Sequence, residues 1–596
     1  MNIPRRWIIK NPGNKEIIRS LESQLHIHST LANLLVQRGI TTIEEARNFF
    51  RPELYHLHDP YKMLNMNKAV NRFNKAVKNK DKILLYGDYD VDGTSAVAMM
   101  YKFLSAKFPQ LELDYYIPDR YKEGYGISYQ GIEYAVSRGV NLVIALDCGI
   151  KDAERVAYAR EKNIDFIICD HHLPGDVLPP AEAILNPKQK NCTYPYKELS
   201  GCGVGFKFLQ AIAHYHRFNF KDLYELLDLV VLSIASDIVP LTGENRVLAY
   251  YGLKKINENP SPAIEALLET AGIKRKPETL LKTNYVFTKY INISDLVYYV
   301  GPRVNAAGRM HTGRNSVDLL ISKNLSEAKN YARVINDFNT ERKNIDAQVT
   351  SEAIAMIEAD ESHKYKKSTI VFGENWPKGI LGIVASRLIE HFYKPAIVFT
   401  RNLEDGTLTG SARSIKGFDL YGALNQFSHL FEHWGGHTYA AGLSIREENF
   451  KEFKEAFETF AIENITDEML VPVIEIDAYL EFNDISKKFF NTLKLFAPFG
   501  PENPNPVFMT EEVYDNGYSR LLNNNHIKLM VTQKHYKDFG LPGIAFQLGD
   551  YFPYMEKGLP VDIVYTIEEN EWNGNVSLQL NVKDMRLSDN DQNYSL

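Results

Sequence analysis

The sequence predicts an α/β protein: a parallel-sheet domain, a long connecting helix, a second α/β domain and a C-terminal OB-like β-barrel. Three observations predict it. From about residue 66 to 245, short apolar runs alternate with helical stretches, the pattern of a mostly parallel sheet covered by helices. From Ser326 to Glu358 there is no Gly or Pro, and apolar residues recur at helical spacing. After about residue 470 the texture changes to five or six short strands, which suits a small barrel. A chain of 596 residues is also too long for one core. The expected division is a helical N-terminal segment (1–65), the parallel-sheet domain (66–325), the connecting helix (326–358), the second domain (359–468), the barrel (469–586) and a tail (587–596).

In the first segment, Thr41-Thr42-Ile43-Glu44-Glu45 is a capping box that opens a helix reaching Phe50, and Pro52 stops it. The parallel-sheet domain reads as strands Ile83–Tyr86, Leu113–Ile117, Leu142–Leu146, Phe166–Cys169 and Ala183–Leu185. Helices are expected at Gly131–Arg138, Asp152–Lys162 and Leu229–Ala235. The connecting helix should span on the order of 50 Å. In the second domain, Thr369–Phe372 and Ala396–Phe399 read as strands; its loops are expected to hold Gly410-Ser411-Ala412-Arg413-Ser414 and Gly435–Gly442. Barrel strands are expected at Val473–Leu480, Val507–Tyr514, Ile527–Thr532, Gly543–Gln547, Val561–Ile567 and Val576–Val582. An Asn573-Gly574 turn precedes the last of them.

Composition excludes some classes. No window is long and apolar enough to span a membrane, and no apolar stretch follows the basic N-terminus as a secretory signal would require. Four cysteines without a CxxC pair argue against a zinc ribbon and for reduced core residues in a cytoplasmic compartment. A net charge of −7 argues against a globally basic nucleic-acid binder but permits a local basic groove.

The chemistry concentrates in Asp88-Tyr89-Asp90-Val91-Asp92-Gly93, between a strand and a helix. The same spacing opens an EF-hand loop, but position twelve is Met99 instead of Glu, and a strand precedes it where an EF-hand has a helix. Further acidic residues follow other apolar runs: Asp147, Asp170-His171-His172 and Asp237. In open parallel sheets ligands gather beyond the carboxyl ends of strands. An oxygen-rich set with imidazole suits Mn²⁺ or Mg²⁺, and six or more ligands exceed the need of one ion. Two ions, bridged most simply by Asp147, would clamp the attacking and leaving oxygens of a phosphoryl displacement.

These motifs, in this order, resemble the DHH phosphoesterase superfamily. Gly435-Gly436-His437 with Ala440-Ala441-Gly442 resembles the signature of its associated domain. With Gly301–Arg309, the long helix and the barrel, the chain is similar to the RecJ family of single-strand-specific 5′→3′ DNA exonucleases. The resemblance implies metal-dependent release of 5′-mononucleotides in DNA repair and recombination. It implies Asp90 and Asp147 on one ion, and Asp92, Asp147, His171 and Asp237 on the other. His172 would face the scissile phosphate, with Asp170 orienting the histidine pair. One departure stands out: Tyr86 occupies a position where many superfamily members carry a His ligand, so Asp88 or His171 is expected to compensate. Arg120, Arg303, Asn305, Arg309, Ser411, Arg413 and His437 are the expected substrate contacts. Tyr121 and Tyr125 are candidates for base stacking. On the barrel, Lys528, Lys534, His535, Tyr536 and Lys537 form a basic, aromatic cluster. Expected partners are single-stranded DNA, a single-stranded-DNA-binding protein and a RecQ-type helicase, with the enzyme itself a monomer. The alternatives are a phosphodiesterase for oligoribonucleotides or cyclic dinucleotides and a non-catalytic RecJ-like replication scaffold.

Overall fold

Fully buried apolar runs decide where the strands lie. The computed structural model describes residues 4–277, 285–310, 312–403, 405–534, 540–572 and 575–588. They form two compact units, one of residues 52–347 with 498–503, the other of residues 4–51, 348–497 and 504–588. The chain opens with a strand, β1 (Arg6–Ile9), so its first 65 residues are not wholly helical. Four residues are too few to show a period, and the partner strand lies far along the chain. The capping box is present: the Thr42 hydroxyl accepts from the Glu45 amide at the start of the helix Ile43–Phe50.

The first unit holds β2 (Ile83–Gly87), β3 (Leu113–Tyr116), β4 (Leu142–Leu146), β5 (Asp165–Cys169) and β6 (Ala183–Leu185). They pair in the order β3-β2-β4-β5-β6, all parallel. Every residue of β2, β4 and β6 is buried, as expected of strands covered on both faces. The connection from β2 leads to one side of the sheet and that from β4 to the other, so the crevice past their carboxyl ends is the topological switch point. Helices Val91–Lys107, Gly201–His216 and Leu227–Ser236 pack closely on one another. The segment 498–503 belongs to this unit: the Leu241 amide donates to the Pro501 carbonyl, 2.8 Å. Glu502 sits in the left-handed region (φ 60°), which glycine adopts without strain.

One helix, Leu325–Glu358, carries the chain into the second unit, as its uninterrupted period predicts. There β7 (Thr369–Gly373), β8 (Ala396–Arg401), β9 (Leu408–Arg413), β10 (Phe431–His437) and β11 (Ala440–Ile445) form a mixed sheet, ordered β10-β11-β9-β8-β7. Gly410–Arg413 and Gly435–Gly442 therefore lie mainly in strands, where the sequence suggested loops. Their small residues are tolerated because one face of the sheet carries no bulky side chain there: a Cβ on Gly435 or Gly442 would meet nothing within 4 Å.

The expected strand Val473–Leu480 is split. β12 (Val473–Ile476) pairs in parallel with β1, and β13 (Ala478–Tyr479) pairs with the next strand. Then come β14 (Phe508–Asp515), β15 (Arg520–Leu522), β16 (His526–Gln533), β17 (Leu541–Ala545), β18 (Val561–Trp572) and β19 (Asn575–Leu587). The circuit β14-β16-β17-β19-β18-β14 closes a five-stranded barrel, with β17 and β19 parallel and the other pairs antiparallel. That closure is the OB architecture. The Asn573-Gly574 turn and residues 589–596 of the tail lie outside the described residues.

Candidate metal centre

Strand register builds the site. Gly87 pairs with Leu146, and Leu146 with Cys169, so the next residues, Asp88, Asp147 and Asp170, stand side by side past three adjacent strand ends. Asp147 adopts a left-handed backbone (φ 63°), a conformation that Asp tolerates and that is concentrated at functional sites. Asp90 caps the helix Val91–Lys107 by accepting from the Gly93 amide, 3.1 Å. Gly93 has to be glycine, because a Cβ would lie 2.5 Å from the backbone N and O of Asp88.

Asp92 is held by three short hydrogen bonds. Its Oδ1 accepts from the Cys202 amide and the Ser233 hydroxyl, both 2.7 Å, and its Oδ2 from the Gly201 amide, 2.7 Å. The positive end of the helix Gly201–His216 thus faces it. Gly201 also lets Asp147 approach: a Cβ there would lie 2.4 Å from Asp147 Oδ1. Asp237 is the C-cap of Leu227–Ser236, so one ligand comes from a helix end.

Three groups of donor atoms result. Asp88, Asp90 and Asp147 form one; Asp92, His171 and Asp237 form a second; Asp147, His171 and His172 join them. His171 Nε2 lies 3.3 Å from Asp147 Oδ1, 3.5 Å from Asp237 Oδ2 and 4.0 Å from Asp92 Oδ2. Asp88 Oδ1, Asp147 Oδ1 and both ring nitrogens of His171 are buried without a hydrogen-bond partner. Buried polar atoms are normally satisfied. Unpaired carboxylate oxygens beside an unpaired imidazole, converging on shared points, fit hard divalent cations such as Mn²⁺ or Mg²⁺.

The electrostatics agree. Burial, then mutual repulsion, pushes the acids upward: Asp88 against Asp90, Asp90 against Asp92, and Asp147 against Asp92 and Asp90. Asp237 is pushed up to about 9 by burial and then by Asp92 and Asp90. Burial lowers His171, favouring the neutral, ligating imidazole. Asp170 behaves oppositely. Burial opposes its charge, but the hydrogen bond and charge of His172, with backbone amides, pull it down to about 2. Its Oδ1 accepts from the amides of His171 (2.7 Å) and His172 (3.1 Å) and from His172 Nδ1 (2.8 Å); its Oδ2 accepts from the Ile150 amide (3.0 Å). An ionised acceptor fixes the proton of His172 on Nδ1. Despite partial burial, that hydrogen bond raises the His172 pKa. The Tyr125 hydroxyl donates to the Asp147 carbonyl, 3.2 Å, and lies 3.0 Å from His172 Nδ1.

Tyr86 takes no part in the donor set. It is buried and stacks on Tyr116, ring centroids 5.4 Å apart. Its hydroxyl donates to the Gly126 carbonyl and accepts from the Ser128 amide, both 3.1 Å. Asp88 occupies the first donor group instead.

Two expected substrate contacts have other partners. Arg303 is buried; its Nη1 donates to the Tyr299 carbonyl (2.6 Å), its Nη2 to the Thr270 carbonyl (3.3 Å) and its Nε to Asn336 (3.1 Å). It is an internal pin. Asn305 Oδ1 accepts from the Val91 amide, 3.1 Å, and so steadies the acidic loop. Arg120 lies over the Tyr89 ring (4.8 Å), and Tyr121 donates to the Arg309 carbonyl, which gathers both arginines around Tyr89. In the second unit, Ser411 pairs with Gly442, which pairs with Gly435; Arg413 pairs with Ala440, which pairs with His437. These rows share one sheet face, and Arg413 Nη1 donates to Ser411 Oγ, 3.3 Å. On the barrel, Lys528 pairs with Arg520, while His535, Tyr536 and Lys537 lie outside the described residues. Sequence reasoning missed Gly201, Cys202 and Ser233 as supports of Asp92; the signal was Ser200-Gly201-Cys202-Gly203, an N-cap followed by small residues.

The chain is also similar to known proteins. Residues 82–234 match the DHH family N-terminal domain, 344–463 the DHHA1 domain and 476–584 the RecJ OB domain. The chain is 34% identical over 585 residues to the single-stranded-DNA-specific exonuclease RecJ of Bacillus subtilis (strain 168), covering 98% of this chain and 71% of that protein. The chain belongs to the RecJ family, within the DHH phosphoesterase superfamily. The RecJ of Escherichia coli (strain K12) is 32% identical over 584 residues, covering 95% of this chain and 97% of that one. The fold matches a RecJ from Thermus thermophilus solved in complex with Mn²⁺, at a TM-score of 0.79 and 22% identity, over 98% of this chain and 79% of that one.

Two outcomes follow for a RecJ-family site of this build. Asp88→Asn should lower metal-dependent activity by more than about 100-fold, a larger loss than removal of a residue that only supports a ligand. Tyr86→Phe should change it only a few-fold; steady-state rates that rank the two variants the other way would assign the first group wrongly. The second outcome concerns pH. Acids raised in the folded protein hold protons that the unfolded chain has released, so they stabilise below about pH 4 and that stability is lost as pH rises toward about 9. Without metal, the melting temperature should fall between about pH 6 and about pH 8.5. Mg²⁺ displaces those protons, so its stabilising increment should grow over the same range. An increment that stays flat or shrinks contradicts the shared acidic site.

Proposed function

We propose that this chain is a metal-dependent, single-stranded-DNA-specific 5′→3′ exonuclease that releases 5′-mononucleotides by two-metal phosphodiester hydrolysis. The observation that carries the reading is Asp147, which belongs to two donor groups and whose Oδ1 is buried and unpaired. Asp88, Asp90 and Asp147 would hold one ion; Asp92, Asp147, His171 and Asp237 would hold the other. Bound there, divalent ions supply charge neutralisation and Lewis-acid polarisation of the phosphoryl group. The residues supply the rest. Helix-end amides fix Asp92, and Asp170 fixes the tautomer of His172. His172, one-third exposed at its side chain, would present its ring to the scissile phosphate.

Substrate grip is assigned to Arg120 and Arg309 beside the acidic loop, and to Ser411, Arg413 and His437 on the open face of the second sheet. On the outer faces of those strands, positions 409, 411, 413, 440, 442 and 444 carry no carboxylate, as phosphate binding requires. The barrel adds exposed Tyr518 and Phe546 near the Arg520–Lys528 pair, a mixture of stacking and charge suited to single strands. A single-stranded-DNA-binding protein and a RecQ-type helicase are proposed partners, in DNA repair and recombination. Among the described residues no helix is long and apolar enough to cross a membrane.

The test is Mn²⁺-dependent digestion of end-labelled single strands. Labelled mononucleotide should appear first from 5′-labelled DNA, and duplex of the same sequence should resist. Early release from the 3′ end overturns the polarity. A preference for dinucleotides favours the oligoribonucleotide reading, and an inert protein favours the scaffold.

A further inference from the structure

Two backbone anomalies meet on the Asp237 side of the acidic cluster, and neither serves the chemistry above. Ile238 directly follows Asp237 and lies in the left-handed region, at φ 57°. For a β-branched residue this is a genuine outlier, strained by clash of its branched Cβ with the backbone. Core packing does not compensate it: Ile238 is 63% exposed. The second anomaly is a π-helical turn, Leu296–Val300, immediately before the helix Gly301–Met310. Such turns are rare and concentrate at functional sites. Its Leu296 and Val300 are fully buried, while Tyr298 is 73% and Tyr299 41% exposed.

The two features are neighbours. The turn packs on the helix Leu227–Ser236, at whose end Asp237 and Ile238 sit. A Cβ on Gly301 would lie 2.9 Å from Ser236 Oγ. Arg303 pins the turn through the Tyr299 carbonyl, which explains a buried guanidinium beside the site that does not reach for substrate. A strained aliphatic residue thus directly follows a carboxylate of the second donor group, and an exposed aromatic ring stands on the turn that packs against the same helix. Held strain of this kind marks binding and clamping positions.

We propose that Ile238 and Tyr298 form an apolar rim that packs against the nucleobase next to the scissile phosphate, and so position that nucleotide. The proposal rests on the nucleolytic reading above and adds two positioning residues to it. A base is the fitting occupant: the phosphate belongs at the acidic cluster, the base is its nearest apolar appendage, and every base offers a flat face to Tyr298 whatever the sequence. Ile238 would act as a fixed edge against the same base, as aliphatic wedges do in other nucleic-acid complexes.

The test uses the full chain with Mn²⁺ and single strands carrying either normal nucleotides throughout or one abasic nucleotide at the 5′ end. Tyr298→Ala should raise KM for the normal strand roughly tenfold and leave kcat within a few-fold, while Tyr298→Phe behaves as the wild type. On the abasic strand Tyr298→Ala should cost nothing further, because the partner it lost is absent. Ile238→Gly separates a binding role from a structural one: it should raise the melting temperature by relieving strain yet raise KM. A wild type that digests DNA while Tyr298→Ala and Ile238→Gly leave KM unchanged, or carry the same penalty on the abasic strand, overturns the rim. A wild type inert toward DNA would instead overturn the nucleolytic reading beneath it.

Discussion

Repulsion among buried carboxylates is the constraint on which the rest of this structure depends. Asp88, Asp92 and Asp147 are almost fully buried, and Asp90 and Asp237 lie beside them. No fold would gather such charges without a counter-charge. Arg120 opposes the repulsion at Asp88 without overcoming it, and Arg303 is engaged with internal carbonyls. The counter-charge that fits the donor atoms is a pair of divalent cations.

The scaffold follows from that requirement. Parallel register aligns Asp88, Asp147 and Asp170 without any long side chain having to reach. A helix start presents its amides to Asp92, and a helix end supplies Asp237. Asp170 differs from its neighbours because it has donors of its own, so it stays ionised and orients His172. Adjacent carboxylates thus take different roles through the hydrogen bonds and charges around each.

Much of this was legible in the sequence. The acidic residues follow apolar runs, and a strand end is where a polar group can leave a buried sheet, so Asp88–Asp92, Asp147 and Asp170–His172 could be placed from pattern. The helix Leu325–Glu358 was legible because its period is unbroken. What compensates for Tyr86 was left open between Asp88 and His171, since the answer depends on the β2–β4 register and on a hydroxyl satisfied by residues 126–128. Arg303 was misread because its partners, Thr270 and Asn336, are distant in sequence. Glycine-rich β9–β11 was read as loops because an open sheet face tolerates residues that usually signal turns. Strand β1 was hidden by its brevity and by a partner, β12, nearly a chain length away.

The central claim is that Asp147 is shared by two ions. Titration of the metal-free protein with Mn²⁺, followed by electron paramagnetic resonance, tests it most directly. Two ions per chain with a spin-coupled signal are expected, and Asp147→Ala should abolish the coupling while the protein stays folded. A single uncoupled ion in the native protein, or coupling that survives in Asp147→Ala, would contradict the account.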